Sequence, residues 1–195
     1  LASRFSFKSF YSSIPMSRHE FSKENLELIE SFGYRFFSVT APFKDQMKFL
    51  GSDKPVNTLV LNKNKNVFLD TDHIGLRTIA DKVGEQERAL IWGAGVMGQA
   101  LKSLIGERAD ILPVRTYKGE ELSGFEVLIW CAGSDAQCPN FSSLPNKIFD
   151  LEYKEQSKAK QVALALGTEY ISGDDLFTNQ AKAQQSFWLQ SFEEL

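Results

Sequence analysis

Cysteine and histidine are scarce in this chain, at two residues each among 195. Cys131 and Cys138 are too few and wrongly spaced for a zinc site, so no metal centre is expected, and two isolated thiols suit a reducing, cytoplasmic compartment. A basic excess is also lacking. The formal net charge is -3, which argues against a nucleic-acid partner. No apolar run approaches the roughly 18 residues of a membrane span. The longest candidate, Ala89 to Leu101, is interrupted by Gly93, Gly95, Gly98 and Gln99. What remains is ordinary globular composition, 43% hydrophobic and 24% charged, enough for one domain or two small lobes.

Residues 1–19 hold six serines, three basic residues and no acid. That composition is similar to a transit peptide. The spacing of Phe5, Phe7 and Phe10 among polar residues favours a strand or helix edge instead. The first residue is Leu1 rather than Met, as expected of a processed chain or of part of a longer or fused one.

Apolar periodicity alternates between the strand and helix periods along the chain, the signature of an α/β fold. Ser22 opens a helix over Lys23 to Ser31, with Gly33 after it, and Tyr34 to Thr40 reads as an aromatic strand. Asn57 to Leu61 and Asn66 to Leu69 form a hairpin across Asn62-Lys63-Asn64-Lys65. Ile74 to Val83 is a helix closed by Gly84. A second block follows the charged break at residues 81–87, with strands at Arg88 to Trp92, Asp110 to Arg115, Phe125 to Cys131, Lys147 to Leu151 and Glu169 to Ile171. Its helices start near Val96, Lys154 and Asp174, and the last carries Phe177, Ala181, Gln184 and Trp188 on one stripe.

The strongest local motif is Gly93-Ala94-Gly95-Val96-Met97-Gly98 between a strand and a helix. The first glycine permits a tight turn, the second lets backbone approach a pyrophosphate, and the third lets helix and strand pack closely. The helix N-terminus then faces the anion. The next strand ends Pro113-Val114-Arg115-Thr116, with no acid to bind a ribose hydroxyl. Arg115 suits a 2′-phosphate, which favours NADP over NAD. Only eight residues separate Thr116 from Phe125, too few for the dozen or more of a helical crossover. One strand-helix unit of a dinucleotide-binding sheet is therefore expected to be missing.

Other polar residues have bland readings one at a time: Lys44 as a solvated loop lysine, Asn57 as a turn residue, Asp72 as a helix cap. Together they form an ordered set. Thr40-Ala41-Pro42-Phe43-Lys44, Val56-Asn57-Thr58-Leu59-Val60 and Asp70-Thr71-Asp72-x-x-Gly75 precede the glycine turn. Asp150-Leu151-x-Tyr153 and Gly173-x-x-Leu176-Phe177-x-x-Gln180-Ala181 follow it. The set resembles the shikimate dehydrogenase family over nearly the whole chain.

The resemblance implies a small α/β substrate-binding lobe, residues 1–75 completed by the C-terminal helix 176–195. It also implies a reduced Rossmann-like NADP-binding lobe with a parallel sheet, residues 76–175. The implied activity is NADPH-dependent, reversible reduction of 3-dehydroshikimate to shikimate in aromatic amino-acid biosynthesis. Lys44 and Asp72 would be the catalytic pair. Thr40, Asn57, Gln180 and Tyr153 would bind substrate. Gly93, Ala94, Gly95, Val96, Met97, Gly98, Arg115, Thr116 and Gly173 would lie at the cofactor. A monomer or homodimer is expected.

The departures from the family pattern are specific. The family's first strand and serine-rich, carboxylate-gripping loop have no counterpart in residues 1–19. Asp70 stands where the family usually has Asn, His73 where it usually has Gly, and Val96-Met97 where small residues are common. They keep open a fragment, a divergent enzyme, or a non-catalytic dinucleotide-binding relative that regulates or binds a partner.

Overall fold

A computed structural model describes residues 12–193, apart from Ala41, Asp45, Lys63, Asn64 and Tyr153. The described residues fall into two compact units, one from Leu1–Asp72 with Ala181–Leu195, the other from His73–Gln180. The division passes through two helices, after Asp72 in α2 (Thr71–Ala80) and after Gln180 in α5 (Asp174–Glu193).

In the first unit, α1 (Lys23–Ser31) begins where the Ser22 hydroxyl accepts the Asn25 backbone N–H. A three-stranded antiparallel sheet follows, in the order β1 (Phe36–Ser38), β2 (Thr58–Val60), β3 (Val67–Leu69). Phe36 pairs with Val60, and Val60 with Val67, so the expected hairpin is present. The tip residues Lys63 and Asn64 lie outside the described residues. The core beneath this sheet gathers Phe21, Leu26, Val39, Met47, Val56, Leu59 and Leu61. Met47 opens a short 3-10 turn, Met47–Leu50, that the sequence did not announce.

The second unit holds five parallel strands in the order β10-β9-β7-β4-β5. These are β4 (Ala89–Trp92), β5 (Ala109–Leu112), β7 (Val127–Trp130), β9 (Lys147–Asp150) and β10 (Glu169–Ile171). Every residue of β4 and β7 is buried, as expected of central strands covered on both faces. On one face Ile91, Val127, Ile129 and Phe149 pack with Leu101 and Ile105 of α3 (Val96–Ile105) and with Leu76 and Leu176. On the other, Leu90, Trp92, Leu128, Trp130 and Ile148 meet Ala159, Val162 and Ala163 of α4 (Lys158–Leu166). The expected reduced, Rossmann-like sheet is thus observed.

The short link after Arg115 behaves as its length requires. Among the described residues no helix lies between Thr116 and Phe125, and β5 is the sheet edge. In place of the crossover, β6 (Glu121–Leu122) pairs in parallel with β8 (Asn140–Phe141) as a separate ribbon. Tyr117 anchors it, donating from its hydroxyl to the Glu120 carbonyl at 2.8 Å and accepting the Asn140 N–H at 2.6 Å.

Several boundaries differ from expectation. β5 stops at Leu112 because Pro113 cannot donate to a ladder, and Val114–Thr116 coils into a 3-10 turn. α4 starts at Lys158, where Ser157 caps it by accepting the Lys160 N–H. α2 begins at Thr71 rather than Ile74 and ends at Ala80 rather than Val83. On α5 the buried positions are Leu176, Trp188 and Ser191, whereas Phe177 is 47% exposed and Ala181 is exposed.

One polar cluster fastens the end of β9. The Asp150 carboxylate is fully buried; it accepts the Tyr170 hydroxyl at 2.9 Å and the Glu152 N–H at 2.8 Å. Burial raises the Tyr170 phenol above its usual range, and its bond to Asp150 adds to that rise against the lowering effect of Ser157. Tyr170→Phe leaves a buried carboxylate short of a donor, so it should cost about 1.5–3 kcal/mol, the range for hydrogen bonds to charged groups. Urea unfolding at neutral pH measures this as a lower midpoint with an unchanged slope.

Candidate active site

Lys44, Asn57 and Asp72 converge within the first unit. Lys44 lies on the loop that leaves β1. Pro42 ends the extended run, and two turn bonds follow, Phe43 N–H to the Thr40 carbonyl and Gln46 N–H to the Phe43 carbonyl. The loop is fixed to the chain entering β2, where the Val56 N–H donates to the Lys44 carbonyl at 3.0 Å. Phe43 stacks at 4.7 Å on Phe21 and Met47 is fully buried, so the lysine's neighbours hold its backbone in place.

The Lys44 ammonium reaches Asp72 Oδ2 at 2.5 Å, with the two side chains 34% and 15% exposed. Asp72 lies inside the first turn of α2. The cap reading therefore fails: Asp72 is a first-turn carboxylate, favoured there by the helix dipole. Helix entry is secured by Thr71 instead. Its N–H and its hydroxyl both donate to Asn57 Oδ1, at 2.8 and 3.0 Å. The other end of the Asn57 amide donates to Asp72 Oδ1 at 2.8 Å. Thr58 donates to Asn57 Oδ1 at 3.1 Å, and Gln184 Nε2 donates to Thr58 Oγ1 at 2.9 Å. The sequence places Thr58 and Thr71 inside the quoted motifs and Gln184 on a helical stripe, without assigning any of the three a role at the site.

The other expected substrate residues are Thr40, Gln180 and Tyr153. Thr40 is exposed at the start of the Lys44 loop and accepts from Phe43 through its carbonyl. Gln180 is half-buried on α5 and belongs to the second unit. Tyr153 lies outside the described residues.

The glycine turn of the second unit has the geometry its spacing implies. Gly93 has φ +117°, and a Cβ there would stand 2.9 Å from the Cys131 carbonyl carbon. A Cβ on Gly98 would collide with the Gly93 carbonyl oxygen, which forces this glycine at the α3–β4 contact. Gly95 faces open space, and Val96 beside it is 81% exposed. Neither residue is needed for packing, and the first-turn N–H groups of α3 have no intrahelical acceptors. Ala94 and Met97 are partly exposed along the same turn.

Beyond β4, β5 and β7 a cavity of about 440 Å³ is lined by Trp92, Val114, Arg115, Tyr117 and the Gly133–Gln137 loop, including Asp135. Tyr117 meets Trp92 edge-on at 5.1 Å. Arg115 and Thr116 are exposed at this end, and the Thr116 hydroxyl donates to the Pro113 carbonyl at 3.1 Å. An open glycine turn and a cavity carrying one exposed guanidinium fit a dinucleotide phosphate chain and a phosphorylated ribose. Gly173 is buried against backbone: a Cβ would lie 2.9 Å from the Asp150 carbonyl and 3.0 Å from that of Glu152. Chain packing by itself requires glycine there.

Among the described residues no group of three or more His, Cys, Asp or Glu side chains could hold a metal ion, and no helix is long and apolar enough to cross a membrane.

No protein-family profile and no curated protein matches the chain by sequence. Solved structures do match. Shikimate dehydrogenase 1 from Peptoclostridium difficile superposes with a TM-score of 0.64 at 18% identity, over 91% of this chain and 79% of that one. The chain has the shikimate dehydrogenase fold. A shikimate dehydrogenase in complex with NADP+ matches at a TM-score of 0.62 and 19% identity, over 86% of this chain and 76% of that one. A 5-ketofructose reductase of Gluconobacter sp. strain CHM43 has the same fold, with a TM-score of 0.64 and 17% identity over 91% and 80% of the two chains.

Cys131 sits where β7 passes the glycine turn. Burial pushes its thiol up to about 12, and the Asp150 carboxylate adds to the effect. A raised folded-state value means that the stabilisation is complete below pH 9 and is lost as pH rises towards 12. At pH 9 iodoacetamide should therefore modify native Cys131 roughly 10²–10³-fold more slowly than the urea-unfolded chain, since only thiolate reacts. Peptide mass spectrometry over time distinguishes it from Cys138.

Proposed function

We propose that the chain is an NADPH-dependent oxidoreductase that reduces 3-dehydroshikimate to shikimate, in keeping with the motif set that resembles shikimate dehydrogenase. The observation that carries this reading is the Lys44–Asp72 pair at 2.5 Å, half-shielded from water and oriented by Asn57. Reduction of a ketone needs a proton donor at the carbonyl oxygen, where negative charge develops. The Lys44 ammonium is that donor: one N–H bond breaks as the substrate O–H bond forms. Asp72 holds the ammonium in position, and the 34% exposure of Lys44 leaves a path for its return to the charged form from solvent. Thr40, Asn57, Gln180 and Tyr153 bind the ring hydroxyls, and such a site rejects analogues lacking them because its own polar groups would be left unpaired.

NADPH, when bound, supplies the hydride. Gly93, Ala94, Gly95, Val96, Met97 and Gly98 would hold its pyrophosphate, Arg115 and Thr116 its 2′-phosphate, with Gly173 near the nicotinamide end. The openness at Gly95 and the exposed Arg115 guanidinium support this placement.

The direct assay follows NADPH oxidation by the purified chain with 3-dehydroshikimate. Absence of turnover alongside retained NADPH binding would favour a non-catalytic dinucleotide-binding protein. In an active chain, Lys44→Ala should lower kcat about 10²–10⁴-fold, the usual contribution of a positioned acid. Asp72→Asn keeps the shape and hydrogen-bonding capacity but removes the charge that holds Lys44, so its kcat should also fall strongly. A near-normal rate for Asp72→Asn would refute the assigned role.

Cofactor choice is read separately. Arg115→Ala should weaken NADPH about ten- to a hundredfold, the worth of a charge-assisted contact of roughly 1.5–3 kcal/mol, while leaving NADH nearly unaffected. Titration by nucleotide fluorescence measures both, and equal losses would show that Arg115 does not read the 2′-phosphate.

A further inference from the structure

The geometry points to Gln184, on the C-terminal helix, as a positioning residue that sets the orientation of the Asp72 carboxylate through Thr58 and Asn57. The inference rests on the reading of Lys44 and Asp72 as the reacting pair, and its structural part can be tested without any assay of that reaction. The Gln184 amide faces two oxygens, the Asn57 backbone carbonyl at 3.4 Å and Thr58 Oγ1 at 2.9 Å. A carbonyl can only accept, so the nitrogen end of Gln184 must point there. Thr58 Oγ1 then accepts from Gln184, and its single hydrogen is directed onward to Asn57 Oδ1 at 3.1 Å.

Asn57 Oδ1 therefore receives three donors: the Thr58 hydroxyl, the Thr71 hydroxyl and the Thr71 N–H. Thr58 and Thr71 are fully buried and Asn57 is 2% exposed, so water offers little substitute. A flipped Asn57 would turn its NH2 group towards these donors and its oxygen towards a carboxylate. The Thr71 N–H, which can only donate, already opposes that flip, and the chain from Gln184 adds the Thr58 hydrogen to the same side, leaving Nδ2 donating to Asp72 Oδ1 with Oδ2 turned to Lys44. The polarity of the chain, not its packing alone, is what Gln184 contributes.

Gln184→Glu tests polarity at nearly constant shape. A carboxylate accepts the Thr58 hydrogen and withdraws it from Asn57. The full chain, labelled with ¹⁵N, reports through the Asn57 side-chain amide, assigned by its proximity to the Thr58 and Thr71 methyl groups. In Gln184→Glu the exchange of that amide with water should accelerate roughly tenfold, the factor that one typical hydrogen bond is worth. Thr58→Val should produce the same acceleration if Gln184→Glu does not fold, and Thr58→Ser should restore protection relative to Thr58→Val.

With NADPH and 3-dehydroshikimate, Gln184→Glu should lower kcat while leaving KM within about twofold, the pattern of an interaction lost in the transition state only. Unchanged Asn57 exchange in folded Gln184→Glu and Thr58→Val would overturn the inference, as would unchanged kcat in an active chain. A wild-type chain with no turnover would instead refute the proposed reaction, and the exchange measurement would still decide the orientation of Asn57.

Discussion

A single side-chain oxygen, Asn57 Oδ1, organises the candidate site. Three donors from β2 and the start of α2 meet on it within 3.1 Å. Buried donors without acceptors cost about 1–3 kcal/mol each, so their convergence strongly fixes which way the amide points. Its nitrogen end then donates to Asp72, and the carboxylate's other oxygen accepts from Lys44. The start of α2, the exit of β1 and a C-terminal helix residue are joined by hydrogen bonds that converge on Asn57 Oδ1 and on the Asp72 carboxylate. An apolar core could hold these segments together, but it could not specify the orientation of a carboxylate.

In the second unit the governing constraint is close approach. Gly93 and Gly98 have no space for a side chain, because the Gly93 carbonyl lies under α3 and the Cys131–Ala132 backbone lies beside the turn. Gly95 is different: nothing in the protein occupies the space a Cβ would take. The first two glycines are explained by packing, whereas the third leaves room for something other than protein. Gly173 belongs with the first two, since the Asp150 and Glu152 carbonyls already exclude a side chain there.

The sheet beyond β5 shows how chain length limits topology. A parallel neighbour would need a helical crossover, and eight residues cannot supply one. The segment instead makes the β6–β8 ribbon, pinned by the Tyr117 hydroxyl. The same tyrosine, with Trp92, walls the cavity that carries Arg115. Shortening the sheet has therefore placed an aromatic wall at this end of it.

Local sequence determined the elements and the glycine turn. The helix Lys23–Ser31 and the strand Glu169–Ile171 lie where periodicity, capping and glycine stops put them. The alternation of elements and the missing crossover were also legible, because period, spacing and loop length are properties of the chain itself, whereas Lys44 and Asp72 stood out only through the family resemblance of the ordered motif set. Tertiary structure decided where α2 starts, because Thr71 finds its acceptor on Asn57, fourteen residues away. It also decided that Gln184 belongs to the site rather than to a packing stripe, and that Phe177 is exposed while Leu176 is buried. These depend on which distant donor meets which acceptor. Helical period assigns a residue to a face, but only the folded chain supplies the partner across from it.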